Sequence, residues 1–139
     1  MVKLEHVNLV VSDIDQTVDF IQTAFPDWII RGRGESEWYG NKRHWLHIGN
    51  DDYYITLNDK AEGPNRNLKS RAAGLAHIGF AVDDLAGITA RLQNKGYPIA
   101  TIGADHPYRK TIYFIDPAGF AFQFILHVRN YLAKKHIWR

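Results

Sequence analysis

The chain has no cysteine among its 139 residues. That excludes disulfides, thiolate metal sites and cysteine nucleophiles. An excess of charge of one sign is also missing. Lys and Arg number 17 against 15 Asp and Glu, for a formal net charge of +2, and the two signs are interspersed. So weak an imbalance leaves no electrostatic footprint for nucleic acid. No apolar run approaches the roughly 20 residues a membrane-spanning helix needs. The opening MVKLEHVNLVV alternates like a strand rather than reading as a signal peptide. These absences predict a cytoplasmic protein with neither membrane nor nucleic-acid partners. Hydrophobic residues at 45% and aromatics at 13% supply a buried core. The length suits one compact domain or two half-size modules sharing a core.

The main positive signal is a repeat. LEHVNLVVSDID at Leu4–Asp15 is echoed by LAHIGFAVDDLA at Leu75–Ala86, with a histidine third in each copy: His6 and His77. Each copy opens with a strand. Alternation sets Glu5, Val7, Leu9 and Val11 on one face of the first strand, with Leu4, His6, Asn8 and Val10 on the other. Ser12 is placed to cap a helix with the stripe Ile14, Val18, Ile21 and Phe25, and Asp83 to cap one with Leu85, Ile88 and Leu92, ended by Gly96. RGRGESEWYGNKRH (31–44) reads as a connecting loop or short strands. HWLHIG with DYYITLN, and KTIYFID with GFAFQFILHV, read as hairpins, the second turned at Asp116–Gly119. The predicted organisation is one domain over 1–128, made of modules at about 1–60 and 73–128 joined by a polar linker at 61–72. A basic tail follows at 129–139.

Four strands thereby offer a polar group on the face away from the helices: His6, Thr56, His77 and Gln123. Thr56 and Gln123 fall at matching places in the two copies. Two imidazoles, an oxygen donor and open positions are what a catalytic divalent metal requires. Neither Thr56 nor Gln123 carries charge, so such a site would bind metal more weakly than one with a carboxylate. Asn8 and Tyr54 share the polar strand faces. Trp45 and His47, in a cluster with Trp38, Tyr39 and His44, would suit a planar or apolar ligand. Arg109 and Lys110 could meet an anionic substrate. His106, His127 and His136 read as ordinary surface or terminal histidines.

EHVNLVVSDID, AHIGFAVDD and YFIDPAGFAFQFI, spanning roughly Lys3 to His127, resemble the vicinal oxygen chelate superfamily. That superfamily holds glyoxalase I, extradiol dioxygenases, fosfomycin-resistance enzymes, methylmalonyl-CoA epimerase and bleomycin-resistance proteins. The resemblance implies an α+β fold of two βαβββ modules forming an incomplete barrel around a central cleft. It implies metal ligands at His6, His77 and Gln123, with Thr56 at the fourth equivalent position, and a divalent cation such as Zn, Ni, Mn or Fe. It also implies a homodimer. Gln123 departs from the glutamate usual at that position, and a neutral carboxamide cannot serve as a proton-transfer base. Two functions follow from the resemblance. One is a metal-dependent enzyme, a glyoxalase-like lyase or an extradiol-dioxygenase-like protein, acting on a small oxygenated substrate. The other is a metal-free protein that sequesters a small molecule.

Overall fold

A computed structural model describes residues 1–128; the basic tail at 129–139 and His136 lie outside the described residues. The chain divides into two compact units, Met1–Asn65 and Arg66–Arg139. The first runs β1 (His6–Val10), α1 (Ile14–Ala24), β2 (Ile29–Trp38), β3 (Asn41–Gly49) and β4 (Tyr54–Asn58). The second runs β5 (Ile78–Val82), α2 (Leu85–Asn94), β6 (Thr101–Ile102), β7 (Arg109–Ile115) and β8 (Ala121–His127). Each is a βαβββ module, so the class is α+β. Each holds an open four-stranded sheet, ordered β1-β4-β3-β2 and β5-β8-β7-β6, with the first strand parallel to the last.

Within unit 1, register sets Val7, Ile55 and Ile48 in one cross-strand row and Leu9, Leu57 and Leu46 in the next. Leu9, Leu46, Ile48, Ile55 and Leu57 are buried, and the buried stripe of α1 (Val18, Phe20, Ile21, Ala24) supplies cover for this apolar face. In unit 2, Phe114, Phe122 and Phe124 are fully buried, with Ile88 and Leu92 of α2. Each such side chain contributes about 1.5–3 kcal/mol of burial.

Both helices are capped by aspartate one residue later than the sequence predicts. Asp13, not Ser12, accepts from the Gln16 amide (3.1 Å), and Asp84, not Asp83, from the Gly87 amide (3.0 Å). At the first helix a carboxylate replaces a hydroxyl at the positive helix end; at the second, where both residues are aspartate, the helix start at Leu85 makes Asp84 the cap. Gly96 ends α2 with positive φ, while its own amide and that of Tyr97 return to the Gln93 and Leu92 carbonyls. That is a Schellman closure.

The segment expected to be a connecting loop or short strands is a long hairpin. β2 and β3 pair from Ile29↔Gly49 to Trp38↔Asn41. Tyr39 and Gly40 turn it, both at positive φ (49° and 81°), which matches the twist of the flanking strands. A tyrosine at the first turn position is an unusual choice, and this is why the turn is hard to read. In unit 2 the Asp116–Gly119 turn forms as expected. Buried Asp116 accepts from the amides of Ala118 (3.1 Å) and Phe120 (2.8 Å).

Candidate functional site

The polar face of the first sheet is read from its register. His6 pairs with Tyr54, Asn8 with Thr56, and Thr56 with His47, which pairs with Gly32; one step along, Asn58 pairs with Trp45 and Trp45 with Gly34. These rows set four rings side by side. His6 stacks on Tyr54 (centroids 4.8 Å, planes 7° apart), His47 leans on Tyr54 (4.6 Å), and Trp45 leans on His47 (4.8 Å). Gly32 and Gly34 leave β2 bare beneath the Trp45 indole, whose atoms take the space a Cβ at Gly34 would need. Thr56 is buried and offers little to solvent, and the Asn8 carboxamide accepts from Asn58 Nδ2 (2.8 Å).

Glu5 enters this group although alternation assigns it to the opposite face. It stands at the end of the β1–β4 ladder, where its carbonyl accepts from the Tyr54 amide (3.2 Å) and its side chain turns onto the ring face. One carboxylate oxygen, Oε1, lies 2.9 Å from His6 Nδ1 and accepts from the Tyr54 hydroxyl at 3.0 Å. The bonds to His6 and then Tyr54 hold the Glu5 carboxyl below the usual range. Tyr54 is pushed up, by desolvation first and then by its bond to Glu5. His47 is pushed down by burial, then by the charges of Arg31 and His6, so its ring stays neutral.

The equivalent row of the second sheet is Gly79, Gln123, Tyr113 and Thr101. Gln123 Nε2 donates to the Tyr113 hydroxyl at 2.9 Å. The carboxamide oxygen lies against Gly79, where an added Cβ would stand 3.0 Å from it. His77, immediately before β5 and exposed, meets Tyr113 edge to face (5.5 Å, 84°). Hence His77 and Gln123 are linked through Tyr113, a residue the sequence reading did not select. Its signal is register alone: Tyr113 stands to Gln123 as His47 stands to Thr56.

Other candidates part company. Arg109 shares the Gln123 face of β7, whereas Lys110, paired with Leu126, lies on the face of Phe122 and Phe124; both are exposed. Adjacent strand residues cannot face one way, which separates these two cations. His44 leaves the Trp45–His47 cluster for the same reason. It sits between Asp59 (Nδ1, 2.8 Å) and Glu35 (Nε2, 3.1 Å) on the other face. There it borders a cleft of about 440 Å³ with Asp13, Asp15 and Arg33. Tyr39 is fully exposed at the turn, and Trp38 carries Arg43 over its ring at 5.3 Å. His106 and His127 are half-buried rather than on the open surface.

A profile of the "Glyoxalase/Bleomycin resistance protein/Dioxygenase superfamily" matches residues 3–124. The uncharacterized protein YaeR of Escherichia coli K12 is 35% identical over 72 residues, 50% of this chain and 55% of YaeR. That match spans little more than half the length of the relative. A glyoxalase/bleomycin resistance protein/dioxygenase domain from Frankia shares the fold at TM-score 0.75 and 21% identity, covering 99% of this chain and 98% of its own. A fosfomycin resistance protein, FosX, from Listeria monocytogenes, solved with Mn(II) and sulfate, does so at TM-score 0.67 and 17% identity, covering 96% and 99%. The chain belongs to the glyoxalase/bleomycin resistance protein/dioxygenase superfamily.

Proposed function

We propose that this chain is a metal-linked enzyme of the superfamily acting on a small oxygenated substrate, with His6, His77 and the Gln123 carbonyl as donors. The observation that carries this reading is the Glu5–His6 pair. A carboxylate on Nδ1 fixes the tautomer, leaves Nε2 as a ligand, and raises its basicity, the usual support behind a metal-binding imidazole. Gln123 fits the same role. Tyr113 takes its amide nitrogen, and Gly79 leaves room for its oxygen. The donors are neutral, so Glu5 supplies the nearby anion that Gln123 does not. Its depressed pKa keeps it ionised near neutral pH, suiting it to hold His6 rather than to carry a proton.

When bound, a divalent cation of the Zn, Ni, Mn or Fe class would polarise adjacent oxygens of the substrate. The chain's own part is to orient the donors and to offer the Trp45–His47–Tyr54 rings as a binding surface. FosX structures with Mn(II), one of them also holding 1S,2S-dihydroxypropylphosphonic acid, accord with this class of ligand. Whether the chemistry is lyase-like or dioxygenase-like rests on the substrate. A metal-free binding role is the second reading. It is favoured by one observation: among the described residues no three His, Asp or Glu side chains group as a metal cage.

Elemental analysis of protein purified without chelator or histidine tag tests the proposal. Near-stoichiometric metal, lost in a His6→Ala/His77→Ala variant, is expected. Trace metal that is the same in both proteins would refute it. Gln123→Glu should tighten divalent binding by about tenfold, because a charged oxygen replaces a neutral one.

A further inference from the structure

β2 carries an irregularity that pairing with β3 makes visible. Ile30 pairs with Ile48 and Gly32 with His47, so Arg31 is an extra residue in the strand. A bulge of this kind re-aims a side chain. Here it brings Arg31 onto the ring-bearing face, where its guanidinium lies 4.4 Å from the centre of the Tyr54 ring. A guanidinium held over a ring by one contact carries further N–H donors that can meet an anion. Among the described residues no carboxylate lies within ion-pairing distance of Arg31 and no acceptor takes its N–H groups. Arg31 itself is exposed. Glu5, whose carboxylate feels the Arg31 charge, has one oxygen engaged by His6 and Tyr54.

We infer that Arg31 and the Trp45–His47–Tyr54 rings form a subsite for a small planar organic anion, such as an aromatic or conjugated carboxylate. The Arg31 N–H groups would take the carboxylate, Tyr54 would hold the guanidinium, and Trp45 and His47 would flank the planar body. The elements suit each other. Guanidinium edges match the two oxygens of a carboxylate, and the glycines at 32 and 34 keep the edge strand from crowding the rings. His47, between Trp45 and Tyr54, extends the row of rings beside Arg31. The inference deepens the proposed function by naming its substrate class, and it rests on that reading for the claim that the ligand is a substrate.

The test uses the full chain stripped of metal by chelator, with benzoate and benzamide as matched probes followed by calorimetry. Benzoate is expected to bind about tenfold or more tighter than benzamide, the worth of a charge-assisted bidentate pair. Arg31→Gln should erase that preference, and Arg31→Lys, which keeps charge but not the planar fork, should retain only part of it. Trp45→Ala should weaken both probes alike. Equal affinity for the two probes, no benzoate binding, or an unchanged preference in Arg31→Gln would overturn the subsite. Manganese titration of the unsubstituted chain, beside its benzoate and benzamide titrations, separates the two ideas. A protein that takes up no metal yet discriminates benzoate keeps the subsite and loses the metal-linked enzyme, and the converse result does the opposite.

Discussion

Two glycines on one face of β2 should respond oppositely to the same added carbon. At Gly34 a Cβ would stand 2.9 Å from Trp45 Cζ2 and 3.1 Å from both Cε2 and Nε1, whereas at Gly32 the nearest indole atom is 3.8 Å away. Favourable carbon contacts begin near ~3.5 Å, so Gly34→Ala forces the indole back by roughly half an ångström while Gly32→Ala leaves it alone. Neither glycine has positive φ, so alanine suits the backbone at both. Alanine in place of glycine in a strand interior is worth about 0.5–1 kcal/mol, and overpacking costs about 1–3 kcal/mol. Gly32→Ala should therefore gain about 0.5–1 kcal/mol, and Gly34→Ala lose about 1–2 kcal/mol. For 139 residues, an unfolding entropy of about 2.1 cal/mol/K per residue makes each kcal/mol worth about 3 °C in Tm. Thermal unfolding followed by circular dichroism reads the difference, and tryptophan emission should shift only in Gly34→Ala. If Gly34→Ala proves as stable as Gly32→Ala, the packing of Trp45 on a bare edge strand is wrong.

Other expectations concern the polar groups. His44 lies between two carboxylates, and both its nitrogens can donate only as imidazolium. Its pKa is raised by the bond to Asp59 and then by the charge of Asp59. Partial burial of Asp59 opposes its ionisation, but the His44 bonds outweigh it and its pKa falls. The pair's contribution is thus complete between the ordinary values of 3.8 and 6.5, and it fades as pH rises through the raised His44 value. Urea melts from pH 6 to 9 should show a steeper loss in the wild type than in His44→Gln, and parallel curves would count against the clasp. Asp116→Ala strands two amides at a buried turn and should cost about 2–4 kcal/mol, while Asp116→Asn keeps an acceptor and should cost about 1 kcal/mol. Denaturant midpoints for the two variants test this ranking. Tyr113→Phe frees the Gln123 amide and should weaken manganese binding by about tenfold at little cost in stability, as loss of a supporting partner does elsewhere. Titration calorimetry on manganese measures it.

The frame of this fold was legible because it is written in periodicities. The two repeat-opening strands, the helix stripes and the aspartate–proline turn all leave local marks, and each element forms within a residue or so of those marks. What escaped depends on distances that local patterns do not encode. The stretch 31–44 carries three glycines, several charges and a Tyr-Gly turn, so it looks like a loop or short strands until pairing of β2 with β3 supplies its missing order. Arg31 reaches the ring face only because a register shift displaces it, and no sequence period announces a bulge. Glu5 and Tyr113 join the candidate site through hydrogen bonds from outside the alternation or across a neighbouring strand. Lys110 was separable from Arg109 on alternation alone, and treating the two as one cationic patch overlooked a rule the sequence already obeyed.

The two sheets keep one frame and divide the chemistry placed on it. Asn8–Thr56–His47–Gly32 and Gly79–Gln123–Tyr113–Thr101 are equivalent rows. The helix caps Asp13 and Asp84 repeat at the same spacing as His6 and His77. Within that constancy the glycine has changed strands. In the second unit it sits on the first strand, where its missing side chain admits the Gln123 carboxamide. In the first unit it sits on the edge strand, beside an added arginine and beneath an indole. A short Thr56 cannot reach as Gln123 does, so the first unit offers rings and a cation where the second offers a donor. Such a division predicts separable phenotypes: substitutions at Gln123 or Tyr113 should move metal affinity and leave benzoate binding to the metal-free chain unchanged. Substitutions at Arg31 or Gly34 should do the reverse.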